Sequence, residues 1–461
     1  MLTVFNPSTL QPIRDIATDS PESIESKVSS AAALYRDKHR WLKLHERIEL
    51  LGKLAGRMRE RLAELAQLIA QEGGKPLKDA KVEADRAVMG VELAIHALGE
   101  QQGQVIPLGM QPASAGLSGV TRPFPIGPVL AFSAFNHPLN LIVHQIIPAF
   151  AAGCPAIVKP ASDTPLSCVE LVNMMHEIGI PSDYVQAIVI DDLDLAGRLV
   201  EDARFSFFTF IGSAKVGWML RSKVSPGVRC ALEHGGVAPC FVSDSADLDR
   251  AIPMIAKGGL YHSGQVCVST QHVFVHERTY QTFKDRLLSH VATLKLGPAE
   301  DPHTDLGPLI RVGEVDRVES WVNEAIDEGA HCLMGGKRRG ENYFEATVLE
   351  DVSDRSKLAH SEVFGPVLCL HAYSDLVECI TASNDSPFAF QASLFSDSHA
   401  EIERFYHHIE AATALVNRPT AFRDDVMPFA GLKQSGLGIG GIPHTLHDMQ
   451  VQKLLIADTY D

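Results

Sequence analysis

Apolar residues between position 22 and about 101 recur at three- and four-residue steps. Leu50, Leu51, Leu54, Met58, Leu62, Leu65 and Leu68 line up as one buried helical face. Gly73-Gly74-Lys75-Pro76 predicts the stop, because Gly suits a helix C-terminus and Pro cannot continue it. Positions 103–125 lose that period and are rich in Gly, Pro and Ser, which predicts a protruding hairpin or linker. From 127 short apolar runs alternate with helical stretches. Strands are expected at 129–132, 156–158, 185–190, 205–210 and 230–232, with helices from 138 to about 152 and from about 164 to 178. Such alternation predicts an α/β fold with a parallel sheet covered on both faces. A second α/β set follows from about 239 to 430, with strands near 240–243, 272–276, 366–371 and 413–416.

Length and charge narrow the picture. A chain of 461 residues predicts two or three domains, and its 45% hydrophobic content predicts a globular protein. The net charge of −16 argues against nucleic acid or an anionic membrane surface as partner, while leaving room for a local cationic site for a small anion. No apolar run approaches the ~18 residues of a membrane span, and the first residues carry no basic, apolar leader, so no secretion signal is expected. The eight cysteines are scattered without a CxxC pair, so neither a disulfide framework nor a metal site is expected, and a reducing, cytoplasmic setting fits. Taken blind, each thiol is a small core hydrophobe.

Several short stretches hold groups with chemical potential. Cys267 sits in Gly264-Gln265-Val266-Cys267-Val268, and Glu233 in Leu232-Glu233-His234-Gly235-Gly236. A thiol becomes a nucleophile when a base or positive field ionises it, and a carboxylate brought close by folding is such a base. Gly212-Ser213, between a strand and a helix, is a place for phosphate or an ordinary turn. Lys159 ends a strand where an open α/β sheet holds nucleotides, or is a surface lysine. Asn136 is either an amide donor to a developing oxyanion or a helix-entry residue. Glu362 and Phe364 offer a ribose contact and a planar packing surface, or only a loop. The glycine-punctuated stretch 427–436 is a linker or a cleft wall.

In order, these stretches read F-N-x-P, K-P-[AS], F-x-G-S-x-x-V-G, L-E-x-G-G, G-Q-x-C, E-x-F-G-P and P-F-x-G-x-K-x-S-G. Together they resemble the aldehyde dehydrogenase superfamily over essentially the whole chain, and the spacing from Glu233 to Cys267 (267 − 233 = 34) also suits it. Residues 264–270 and 419–428 look nearest to the lactaldehyde, non-phosphorylating glyceraldehyde-phosphate and succinate-semialdehyde dehydrogenases. The resemblance implies a Rossmann-type cofactor domain (1–103 and 126–234) and an α/β catalytic domain (235–444). It also implies a small β oligomerisation element (104–125 and 445–461) whose strand at 451–457 serves a homodimer or homotetramer. It further implies that Cys267 attacks a small-molecule aldehyde, that Asn136 and the Cys267 N–H stabilise the oxyanion, and that hydride passes to NAD or NADP. Glu233 would then activate water to hydrolyse the thioester. Lys159, Ser162, Gly212, Ser213, Gly235, Glu362 and Phe364 would serve the cofactor, and His137, Val266, Val268 and Arg423 the substrate.

Departures from the family pattern carry their own expectations. Ser162 stands where many relatives have Glu, which removes a charge that would repel a 2′-phosphate and predicts that NADP is accepted or preferred. Gln145 replaces a common Lys, Ala430-Gly431 a double Gly, and Ile439-Gly440-Gly441 the usual R-E-G. His137 and His144 predict a more polar substrate tunnel. Arg423 either faces an anionic aldehyde tail or makes a salt bridge to Asp424 or Asp425. Two other readings stay open: a CoA-acylating enzyme, against which Glu233 argues, and a catalytically silent binding or structural member.

Overall fold

The computed structural model describes residues 1–190 and 192–459. An N-terminal hairpin (Leu2–Phe5 with Pro12–Ile16) leads into four helices: α1 (Pro21–Arg36), α2 (Leu44–Glu60), α3 (Leu62–Gly73) and α4 (Leu77–Glu100). The apolar face expected as one belongs to two helices, because the backbone resets at Arg61 (φ −107°), with Leu51, Leu54 and Met58 buried before the break and Leu65 after it. Gly74 ends α3 with φ +67°, and a Cβ there would lie 2.9 Å from Pro308.

The first large sheet places Val129–Phe132 at its centre, flanked by Ala156–Lys159 and then Val185–Ala187 on one side, and by Phe207–Ile211 and then Arg229–Glu233 on the other. All of these pairings are parallel. Helices α5 (Asn140–Ala152), α6 (Leu166–Glu177), α7 (Leu193–Val200) and α8 (Ala214–Arg221) connect the strands. The order of connections reverses beside the central strand, so a crevice opens beyond the carboxyl ends of these strands. Phe132 and Lys159 are paired there, one strand from Ile211, after which Gly212 and Ser213 follow.

A seven-stranded second sheet runs His331–Met334, Thr347–Glu350, Val367–Tyr373, His272–His276, Pro239–Val242, Gln391–Phe395 and Thr413–Val416. Three of these, 331–334, 347–350 and 391–395, were not anticipated. Gln391–Phe395 is buried throughout and too short to show a period, which hid it. Helix α9 (Leu248–Leu260) covers this sheet and delivers the chain to the Cys267 loop.

The expected hairpin or linker at 103–125 is part of a three-stranded sheet. Leu117–Pro125 pairs with Val105–Ile106 and, over nine residues, with Gln450–Asp458. Residues 445–448, assigned from sequence to that element, lie instead in the helix Ile442–Asp448 on α4 and α5. Gly436–Leu437 returns to the first sheet, antiparallel to Leu232–Glu233. The glycine-punctuated tail is therefore built into the sheet that carries Glu233. Gly431 is required there, since a Cβ would meet the Ser435 carbonyl at 2.1 Å, whereas Ala430 is accommodated. No helix of the described residues is long and apolar enough to cross a membrane.

Candidate active site

The loop carrying Cys267 begins with strained backbone. His262 (φ +48°), Ser263 (φ +54°) and Gly264 (φ +75°) are consecutively left-handed. For the two non-glycine residues this costs on the order of 1–3 kcal/mol each and persists only where surroundings over-determine it. Here they do. The Ser263 hydroxyl donates to the Gly307 carbonyl (2.6 Å), the Gln265 amide donates to the Pro308 carbonyl (3.3 Å), and Gln265 Oε1 accepts from the Ile310 N–H (2.9 Å). Gly264 must be glycine, because a Cβ would fall 2.0 Å from the Gly365 carbonyl. Val266 and Val268 then bury their side chains with Phe390 and Phe429, leaving partly exposed Cys267 between them in an apolar wall.

Glu233 ends its strand opposite this loop, held by backbone pairing to Gly436 on one side and Ile211 on the other. Its Oε1 lies 4.0 Å from Cys267 Sγ. Burial raises the Glu233 carboxyl above its usual range, an effect opposed by Arg423. Burial, and secondarily the charge of Glu233, hold the Cys267 thiol well above its usual value, with Arg423 pulling it down. The resting pair is a protonated thiol beside a carboxyl group, so the nucleophile must be generated by proton transfer.

Asn136 is not the entry cap of α5. Its Nδ2 donates to the Gln265 carbonyl (2.9 Å), two residues before Cys267, leaving one amide hydrogen for another acceptor. The entry of α5 is held by Glu83 of α4, whose Oε1 accepts the Leu139 and Asn140 N–H groups (3.0 and 3.1 Å). Glu83 in turn pairs with Lys75, both wholly buried. Removing either partner would strand a buried charge, so this pair ties the Asn136 turn to the helical layer.

Arg423 enters the same space. Its guanidinium stacks 3.7 Å from the centre of the Phe429 ring and lies 3.8 Å from Glu233 Oε1 and 3.9 Å from Asp425 Oδ1. Only 10% of the side chain is exposed, and its Nε has no hydrogen-bond partner among the described residues. Of the two readings of Arg423, the salt-bridge one is met at long range with Asp425 (3.9 Å) and not with Asp424 among the described residues. Asp424 accepts from the Val426 N–H, and Asp425 is engaged by Arg86 (2.6 and 2.9 Å) and His144 Nε2 (2.8 Å). His144 stays neutral, its pKa lowered to about 4 by burial and then by Arg423. His137 is buried near Tyr261 (6.1 Å between rings), and burial with nearby Lys75 holds it well below the usual imidazole value. The polarity expected from the two histidines comes from neutral rings, with the positive charge on Arg423. Arg86, Gln265, Lys75 and Glu83 were not singled out in the sequence. Arg86, Gln265 and Glu83 act through partners 43 to 339 positions away, while Lys75 meets Glu83 eight positions on, and no local pattern marks such pairs.

The cofactor candidates surround the crevice of the first sheet. Lys159 Nζ donates to the Pro160 carbonyl (3.1 Å) and sits over the Phe132 ring (5.9 Å). Ser162 is half-buried and donates to the Ile190 carbonyl (3.4 Å). Gly212 leads to Ser213, the exposed N-cap of α8, whose hydroxyl makes no capping bond, so the first N–H groups of α8 have no side-chain partner there. Gly235 acts one step removed: a Cβ there would fall 1.6 Å from Glu362 Oε1. Glu362 accepts from the Gly236 N–H, and burial pushes its pKa up to about 8, while its Oε1 is buried without a partner among the described residues. Phe364 meets Phe135 edge to face at 5.7 Å. A helix start without a side-chain cap, a lysine and a carboxyl with one oxygen unpartnered among the described residues fit a phosphate-bearing dinucleotide.

The aldehyde dehydrogenase family model matches residues 1–455. A 3-sulfolactaldehyde dehydrogenase of Priestia megaterium is 34% identical over 456 residues, 99% of this chain and 94% of its own. Among solved structures, aldehyde dehydrogenase 21 from Physcomitrella patens, in complex with the reaction product succinate, superposes with a TM-score of 0.96 at 33% identity, covering 99% of this chain and 95% of that one. The glyceraldehyde-3-phosphate dehydrogenase GapN of Methanocaldococcus jannaschii, complexed with NADP, gives 0.94 at 31% identity, covering 100% and 99%.

Proposed function

The chain belongs to the aldehyde dehydrogenase family and is an NAD(P)-dependent aldehyde dehydrogenase; on that premise we propose that it converts a short aldehyde with an anionic tail into a carboxylic acid through a Cys267 thioester. The observation that carries this reading is the convergence of Cys267 Sγ, the Glu233 carboxyl and the Arg423 guanidinium around one small space. Cys267 attacks the carbonyl carbon while the thiol proton leaves, and Glu233 at 4.0 Å is placed to receive it. The free Asn136 amide hydrogen and the Cys267 N–H meet the oxygen as it gains charge. Lys159, Ser213 and Glu362 would hold NAD(P)+, which would supply the hydride acceptor for the resulting thiohemiacetal. Glu233 then takes a proton from the water that attacks the thioester, and sulfur leaves with the bonding electrons.

Arg423 supports the anionic tail. A guanidinium buried beside an aromatic ring, with no ion pair closer than 3.8 Å, retains attraction for an incoming anion. The relatives at hand include dehydrogenases named for sulfonated, carboxylated and phosphorylated aldehydes. Arg423→Ala is expected to lower kcat/KM for an aldehyde bearing a terminal carboxylate or sulfonate by about 100-fold, equivalent to roughly 2–3 kcal/mol. An uncharged aldehyde of equal length should lose far less. Equal losses on both substrates would assign Arg423 to tuning Glu233 and Cys267 rather than to the tail.

Ser162 beside Lys159 supports use of NADP, since no carboxylate occupies the position to repel a 2′-phosphate. The expected result is kcat/KM with NADP at least equal to that with NAD. Ser162→Glu should lower the NADP value by about tenfold or more and leave NAD within a few-fold, roughly 1.4 kcal/mol of selectivity. A wild-type enzyme strongly favouring NAD would overturn the assignment.

A further inference from the structure

His234 follows Glu233 directly in the chain and is 1% exposed, yet no step of the thioester chemistry uses it. Its ring Nδ1 lies 2.8 Å from the Gly212 carbonyl oxygen. A carbonyl only accepts, so Nδ1 carries the hydrogen and Nε2 the lone pair. Nε2 is buried without a partner among the described residues. A leucine would fill the same room and strand no nitrogen, so packing alone does not account for an imidazole here. What the ring supplies is the Nδ1–H bond. The backbone doubles it, because the Gly212 N–H donates to the Glu233 carbonyl (3.1 Å). Gly212 is thus held through both of its backbone polar groups by the two residues Glu233 and His234.

The ring is also set against the helix that Gly212 and Ser213 introduce. A Cβ at Gly217 of α8 would fall 1.9 Å from the imidazole, so only glycine admits it there. The Phe210 and Trp218 rings flank it at 5.7 and 5.9 Å. Trp218 Nε1 donates to the Gln434 carbonyl (3.1 Å), and the His234 backbone N–H donates to the Ser435 carbonyl (2.9 Å). The turn before α8, the strand of Glu233 and the returning tail therefore meet at this one side chain.

We propose that His234 is a positioning residue that couples the two halves of the site. By holding the Gly212 carbonyl it sets the start of α8 for the diphosphate of a dinucleotide and, through the same bond, the strand end from which Glu233 reaches Cys267. The proposal rests on the dinucleotide and thioester readings above. Coupling of this kind is reciprocal, so loosening the turn weakens both diphosphate binding and the action of the base.

The test separates the ring's hydrogen bond from its bulk. His234→Leu keeps the volume and loses the donor, whereas His234→Asn is smaller but places an amide nitrogen where Nδ1 stands. ADP, which carries the diphosphate without a nicotinamide, reads the α8 side by calorimetry. 4-Nitrophenyl acetate reads the other side. Its acetyl group passes to the Cys267 sulfur with a burst of nitrophenolate, and the slow phase that follows reports hydrolysis of the acyl-enzyme by water that Glu233 deprotonates. His234→Leu is expected to bind ADP about tenfold more weakly and to hydrolyse the acyl-enzyme about tenfold more slowly, with the burst unchanged. His234→Asn should return both to within about threefold of wild type. Equal losses in the two variants, a loss on one side only, or no loss in His234→Leu each overturn the proposal. A wild type that fails to bind ADP or gives no burst removes the reading beneath it, and the proposal with it.

Discussion

Cys267→Ala is expected to reduce aldehyde oxidation by on the order of 10⁴-fold or more while leaving the protein folded. The size follows from chemistry that no neighbour can replace. The other buried thiols, such as Cys154 and Cys240, have pKa values pushed up to about 11 and 12 by burial and have no carboxylate beside them. The structural cost is small, because the side chain is partly exposed and its flanking valines anchor the loop. Circular dichroism and thermal unfolding of the variant should match wild type within a few degrees, and the 4-nitrophenyl acetate burst should vanish. A variant keeping a tenth of the wild-type rate would remove Cys267 from the role of nucleophile.

Glu233→Gln is expected to separate the two halves of the reaction. Hydride transfer should proceed once per site, seen as a burst of about one reduced cofactor. Turnover should then fall by roughly 10²–10⁴-fold, because water meets the thioester without a base. In wild type the limb limited by hydrolysis should decline as pH falls through the raised pKa of Glu233, since only the carboxylate accepts a proton. Added CoA should give no acyl-CoA product with wild type, and its appearance as the main product would favour the acylating reading. Equal loss of burst and turnover in Glu233→Gln would place the residue in generating the thiolate alone.

The sequence carried the site better than it carried the walls around it. Cys267, Glu233 and Asn136 stood in short ordered motifs, because a turn that presents a reactive side chain needs particular neighbours, such as Gly264 with its left-handed backbone. Arg423 was visible as a charge in a loop, but its surroundings were not. Its carboxylate neighbour Asp425 is taken by Arg86, 339 positions away. The α/β alternation exposed the first sheet, where apolar strands are separated by helices. It missed Gln391–Phe395, buried on both faces, and it merged α2 with α3 because one helical period spans both. Buried Lys75 and Glu83 look like surface charges in the sequence, since nothing local shows that they face each other inside.

The antiparallel pairing of Gly436–Leu437 with Leu232–Glu233 has a consequence for the growing chain. Glu233 leaves the ribosome about two hundred residues before the strand that steadies it, and Gln450–Asp458 must still follow to close the sheet with Leu117–Pro125. At roughly 5–20 residues per second, the interval lasts tens of seconds. Throughout it the nascent polypeptide carries a thiol and a carboxylate that are not yet fixed as a pair. A chain ending before Gly436 would still hold Cys267, Glu233 and Asn136 but would lack the strand that pairs with Leu232–Glu233.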